Sequence, residues 1–398
     1  MTISSGATER WSASRSGHRR AVALLALGGA LAIGLAACGG ASSHKPAAAA
    51  APSGTPATAE PPVTANVEIY SGSFFTWLPY LASAQGFFAK NGINAHIIPV
   101  TGGGSVAFAA LANGAADVAM GDLSLAGPLM DKGQNLTVVS GAVQSNWKLI
   151  APKGSPVPDG YPAGIAALKG KPVGVVALGT SSYHFLQSLS KAAGLGSDGV
   201  TYQALGGLPA NSISAIEGNR VAAVMAGPDV AYYMLSTGRA KLVYDFSDPA
   251  ALKKAGDPLA LTAGRPGGWL FARTDWTKEH PAAVKRFQLA LAETDVWMHD
   301  PANLDRVTAL LVADQDLPKY AEGSAAAGFL KNILPYETAA VSADDVQAYQ
   351  AFWHATGVVA KTPSIDTWLS PTVPANGAAV KAAVSAAGPD ALKSTPAK

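Results

Sequence analysis

Four short segments carry residue types that could hold a small molecule without breaking it. Thr101-Gly102-Gly103-Gly104-Ser105 and Gly179-Thr180-Ser181-Ser182 combine glycines with hydroxyls. Where no Cβ intervenes, backbone N–H groups can approach a ligand, and a helix starting there points its free amides at it. Asp122-Leu123-Ser124 and Gly227-Pro228-Asp229 each follow an apolar run and add a carboxylate. Aromatic rings supply contact area: Ser71-Gly72-Ser73-Phe74-Phe75-Thr76-Trp77 brings three together in a Ser/Gly stretch, and Trp147 and Tyr183 are further candidates. The candidate ligand contacts are Ser71, Phe74, Phe75, Trp77, Gly103, Gly104, Ser105, Asp122, Ser124, Trp147, Thr180, Ser181, Ser182, Tyr183, His184 and Asp229. Each has a plain competitor. Ser, Thr and Asp cap ordinary helix starts, and Trp77, heading a helix, suits a core.

Reactive chemistry is poorly served by comparison. Ser182 and His184 are two residues apart with no orienting acid in view. Ser188-Leu-Ser-Lys191 matches S-x-x-K inside a predicted helix but lacks a K-T-G partner, and Gly164 to Lys171 misses the phosphate-loop spacing. Seven scattered histidines and one cysteine offer no metal set, so no metal or cofactor is expected.

That cysteine has a telling position. Arg19-Arg20 precede an apolar run from Ala21 to Gly34, then Leu35-Ala36-Ala37-Cys38. A run of about 14 residues is short of the ~20 that span a bilayer, so residues 1–38 read as a signal segment. Leu-Ala-Ala-Cys resembles a bacterial lipobox, with Cys38 as the lipidated residue. By that resemblance, acyl chains on Cys38 would give stable anchoring at the extracytoplasmic face of the cell membrane. Residues 39–65 read as a tether, whose Ala- and Pro-rich part, residues 41–65, could extend about 75 Å at ~3.1 Å per residue. Without residues 1–38 the chain holds 25 basic and 26 acidic residues, which implies no nucleic-acid surface.

The body must position the four segments. With 48% hydrophobic and 14% charged residues it is suited to a packed core. Ten short β-rich runs are predicted at Val67–Tyr70, Ala95–Val100, Val118–Gly121, Leu136–Gly141, Leu149–Ala151, Val173–Ala177, Val200–Leu205, Val221–Ala226, Lys241–Tyr244 and Trp269–Arg273. Helical patterns such as Trp77–Asn91, Ser105–Asn113, Ser182–Ala193 and Ala210–Glu217 alternate with them, predicting α/β lobes with mostly parallel sheets. From Pro281 onward the periodicity is helical, and the tail after Gly388 is expected to fray. An internal echo supports duplication. A strand, glycine turn, helix, Gly stop and strand ending in Gly and Asp occurs around residues 95–122 and again around 200–229.

Pro79-Tyr-Leu-Ala-Ser-Ala-Gln-Gly-Phe-Phe-Ala-Lys-Asn-Gly-Ile93, Ala112-Asn-Gly-Ala-Ala-Asp-Val118 and Gly179-Thr180-Ser181-Ser182 resemble motifs of bacterial solute-binding proteins of the nitrate/sulfonate/taurine type, which share their fold with binders of thiamine's pyrimidine precursors. The resemblance covers roughly residues 66–360. It implies a type II periplasmic-binding fold, with two lobes joined by two crossovers and a helical C-terminal part. Lobe one would be residues 66–152 plus 265–398, and lobe two residues 153–264. It implies a monomer that hands a small organic solute, sulfonate-like or pyrimidine-like, to the permease and ATPase of an ABC importer. Asp122 and Asp229, with no matching Lys or Arg in the site loops, depart from what an oxyanion needs and favour a ligand with amine or ring N–H donors. An enzyme resembling thiamine-pyrimidine synthases and a sensory lipoprotein are the rival readings.

Overall fold

The computed structural model describes residues 61–70, 73–100, 104–196, 199–313, 324–362 and 364–394. The signal segment, Cys38 and nearly all of the tether lie outside them. Among the described residues ten strands form two sheets. They are β1 (Val63–Tyr70), β2 (Ile93–Val100), β3 (Val118–Gly121), β4 (Leu136–Gln144), β5 (Lys148–Pro152), β6 (Pro172–Val175), β7 (Thr201–Ala204), β8 (Ala223–Ala226), β9 (Ala240–Asp245) and β10 (Pro266–Arg273). The first sheet has the order β2-β1-β3-β10-β4 and the second β7-β6-β8-β5-β9. These are one pattern used twice. In each sheet four strands run one way and the fifth, β10 or β5, is antiparallel to both neighbours. The reversed strand is the one that has just arrived from the other sheet, so the echo in the sequence is an echo in topology.

The chain crosses twice, at residues 145–147 and 246–265. The first crossing comes earlier than a boundary at 152 predicts. Leu149, Ile150 and Ala151 are fully buried between β8 and β9, so β5 belongs to the second sheet. The tether also ends sooner than expected. Val63, Thr64 and Ala65 pair in register with Ile93, Asn94 and Ala95, and Ala65 is fully buried, so β1 starts at Val63.

Helices cover the sheets. The segment predicted as one helix over residues 77–91 breaks at Gly86, whose φ of +86° is a left-handed conformation that glycine adopts without strain. The long helix Pro281–Met298 lays Phe287, Ala290 and Leu291 against the first sheet, with Phe88 stacked on Phe287 at 4.8 Å. A second apolar cluster joins both sheets. Trp269 and Phe271 of β10, Leu149 of β5 and Phe185 meet Phe352 and Trp353 of the helix Ala343–Ala355. The tail is docked rather than frayed up to residue 394. Ala391 is buried, and Lys90 donates to its carbonyl while pairing with the buried Glu293 at 2.8 Å. Among the described residues no helix is long and apolar enough to cross a membrane.

One buried acid sets a pH dependence of stability. Glu337 lies beside β4, and its carboxyl oxygens make no hydrogen bond of ordinary geometry among the described residues. Burial, helped by the Asp295 carboxylate, pushes it well above the usual carboxylate range. The folded chain therefore keeps a proton that the unfolded chain loses near pH 4.3, and stability falls as pH rises from there towards the folded value. Glu337→Gln removes this penalty. Urea unfolding should show the variant gaining on the wild type between pH 4 and pH 8; a difference that does not change with pH contradicts the assignment.

Candidate functional site

The pocket forms where the carboxyl ends of strands from both sheets meet. After β1, Ser73 caps a short 3-10 turn, Phe74–Thr76. Thr76 ties that turn back to β1 by donating its hydroxyl to the carbonyls of Tyr70 (3.1 Å) and Ser73 (2.9 Å). The turn aims two rings at the second sheet. Phe74 and Phe75 lie 4.2 Å apart, and Phe75 meets Trp147 of the first crossing at 5.6 Å. Phe74 also reaches the opposite half, since a Cβ on Gly227 would fall 2.9 Å from its ring. Glycine at 227 is what lets the two halves approach here.

Each half contributes one carboxylate. Asp122 follows β3 and caps the helix Leu123–Asp131, its Oδ1 accepting from the Ser124 backbone N–H at 2.7 Å and from the Ser124 hydroxyl. Burial raises its pKa, while Ser124, the Ser181 hydroxyl from across the cleft and His184 pull it back down. Asp229 sits in the first turn of the helix Pro228–Ser236 and is 5% exposed. Burial pushes its carboxyl up to about 6, against the opposing effect of the backbone amides at Val230 and at Asp229 itself. A buried acid with no cation beside it among the described residues has free energy to gain from meeting one.

Together these loops enclose about 120 Å³, close to the ~150 Å³ that accepts a benzene ring in an engineered cavity. Tyr70, Phe74, Phe75, Met120, Leu125 and Trp147 make one apolar wall, and Val176, Leu208, Met225 and Val230 face it. Ser73, Thr180, Ser181 and Ser212 add hydroxyls, and Gly104, Gly121 and Gly206 expose backbone. None of the described lining residues is Lys, Arg or His.

Eight candidates from the sequence line this pocket: Phe74, Phe75, Gly104, Asp122, Trp147, Thr180, Ser181 and Asp229. Six described candidates do not. Trp77 is buried in the first core edge-on to Phe329 at 6.0 Å, because it heads a helix packed on that core. Ser105 is exposed on the far side of its helix. Ser124 is turned to Asp122, and Ser182 accepts from the Val176 backbone N–H at 3.1 Å, fully buried. Tyr183 packs on Tyr202 at 4.6 Å, and His184 faces Trp353 at 5.7 Å, so Ser182 and His184 form no reactive pair at the pocket. Ser71 and Gly103 lie outside the described residues. The loop Gly206-Gly207-Leu208-Pro209 also lines the pocket and was not among the candidates, although the internal echo matches its glycines in sequence to Gly102–Gly104.

Solved structures share this architecture at low identity. The alkanesulfonate-binding protein SsuA from Xanthomonas axonopodis pv. citri, bound to MOPS, matches with a TM-score of 0.58 at 17% identity, covering 78% of this chain and 99% of its own. The periplasmic nitrate-binding protein NrtA from Synechocystis PCC 6803 also has a TM-score of 0.58, at 13% identity over 85% and 92% of the two chains. The desulfurization enzyme DSZB matches at 0.52 and 15% identity, over 82% and 99%, so the fold also carries an enzyme. No curated protein matches the sequence. At these identities the neighbours establish the periplasmic-binding-protein fold. The NMT1/THI5 like family matches residues 77–303, from the helix after the aromatic turn through both sheets and both crossings, and the chain belongs to that family.

Proposed function

We propose that this protein is an extracytoplasmic solute receptor for an ABC importer, held at the membrane by a lipid on Cys38, that captures a small organic solute bearing a ring and an amine or ring N–H groups. The two lobes are the two sheets with their helices, meeting at the pocket. One observation carries the ligand class: two carboxylates, the half-buried Asp122 and the buried Asp229, share an aromatic-walled pocket whose described lining holds no basic side chain. Neighbours named for nitrate and sulfonate support solute capture in such a fold. An inorganic oxyanion here would meet two carboxylates, whereas an ammonium or aminopyrimidine-like group is matched by them. Sulfonate could be accepted only with an amine on the same molecule, as in an amino-sulfonate. With neither His nor Cys among the described lining residues, the pocket favours holding over catalysis.

A thermal-shift panel tests this. A ligand at 100 times its dissociation constant adds about 2.7 kcal/mol to stability. Aminopyrimidines, ring-bearing amines and amino-sulfonates are expected to include stabilisers, and nitrate and sulfate none. Stabilisation by the oxyanions alone contradicts the proposal.

A further inference from the structure

Behind the aromatic wall lies a smaller chamber of about 10 Å³, room for about one water-sized group. It shares Phe75, Trp147, Asp122 and Ser181 with the solute pocket, and its far side is formed by Ser145, Tyr349 and Trp353. The hydroxyls of Tyr349 and Ser145 are neighbours. Yet neither they nor the Trp353 indole N–H meets a hydrogen-bond partner of ordinary geometry among the described residues. Tyr349 is 1% exposed and Trp353 fully buried, so bulk water does not reach them. The chain keeps this space open. A Cβ on Gly267 would fall 2.3 Å from the Tyr349 hydroxyl.

Buried donors left bare are rare and costly, and the usual remedy is an ordered oxygen with two to four polar partners. We propose that the chamber is an inner polar subsite that holds one hydroxyl oxygen, accepting from Tyr349 and Trp353 and donating to Asp122 and Ser145. In the solute-free protein the oxygen is a water molecule. A solute with a hydroxyl group could place its own there, and only this second occupant rests on the solute-receptor reading. The oxygen ties Asp122, at the pocket, to the helix Ala343–Ala355 and steadies the carboxylate from behind. Tyr349 thus acts as a positioning residue for Asp122.

A high-resolution crystal structure of the full chain, freed of solute by unfolding and refolding, tests the site. One ordered oxygen is expected within hydrogen-bond distance of the Tyr349 hydroxyl and the Trp353 N–H. A collapsed chamber with both groups bonded to protein atoms overturns the proposal. Carbon-13 NMR then follows the Asp122 carboxyl in wild type and Tyr349→Phe, with His184, Tyr70 and Tyr349 as the titratable groups around it. Losing the oxygen takes a hydrogen bond from the carboxylate, so its midpoint should rise by about one unit while that of Asp229 stays put. An unmoved Asp122 midpoint also overturns the proposal. Both arms are read without solute, so their failure leaves the receptor role standing. A crystal carrying the co-purified solute shows which occupant fills the chamber: a solute oxygen reaching into it, or water retained beneath a solute that stops short.

Discussion

Asp229→Asn is expected to weaken capture of a ring-bearing ammonium solute by about 30- to 4,000-fold. Removing one partner of a buried, hydrogen-bonded charge pair costs roughly 2–5 kcal/mol, and each 1.4 kcal/mol is tenfold in affinity. The same residue sets a pH profile. Its carboxyl titrates at about 6, and only the ionised form attracts a cation. Wild-type affinity should therefore be flat above pH 7 and fall by up to about tenfold per unit below pH 6, as a proton and the solute compete for one site. In the Asn variant that slope should be gone or much reduced. Calorimetry at pH 5, 6, 7 and 8 reads both effects. An unchanged profile in the variant places the charge contact elsewhere. Asp122→Asn is a less clean test, because Asp122 also caps a helix and bonds Ser124, so stability would change together with affinity.

Phe185→Ala should cost about 3–5 kcal/mol of unfolding free energy. Phe185 is 2% exposed and stacks on Phe352 at 4.9 Å, with Phe246 and Trp353 edge-on at 5.7 and 5.6 Å. It belongs to the helix Ser181–Ala192 beside the second sheet, while Phe352 and Trp353 belong to the helix Ala343–Ala355 that packs on β10 of the first. Truncation thus opens a cavity at the joint between the halves, where neither can collapse to fill it without moving the other. Urea unfolding is the measurement, with Phe185→Leu as the control that keeps most of the volume. A loss below 1 kcal/mol for the Ala variant would mean that this joint is not tightly packed.

The strands were legible because most are short apolar runs buried on both faces, so composition and flanking turns marked them. Partner choice was not. Leu149–Ala151 reads equally well as the end of one lobe or the start of the next, and only its insertion between β8 and β9 decides. The pocket segments were found because glycine, hydroxyl and carboxylate gather where strands feed helices. The misses follow from helix geometry. With 100° between successive residues, a helix start presents its first side chain and its amides to the cleft and turns the next ones away. Ser181 therefore faces Asp122 while Ser182, Tyr183 and His184 face the body, and Ser105 points outward behind Gly104. Trp77 and Trp147 show the same lesson. Type alone made both candidates, but one heads a helix on a core and the other lies on a crossing between sheets.

Native mass spectrometry of the protein purified from the cells that make it bears most directly on solute capture between the two sheets. The account predicts a small organic, amine-bearing species retained by the wild type and lost in Asp229→Asn. An inorganic oxyanion as the bound species, or equal retention by both proteins, would contradict it.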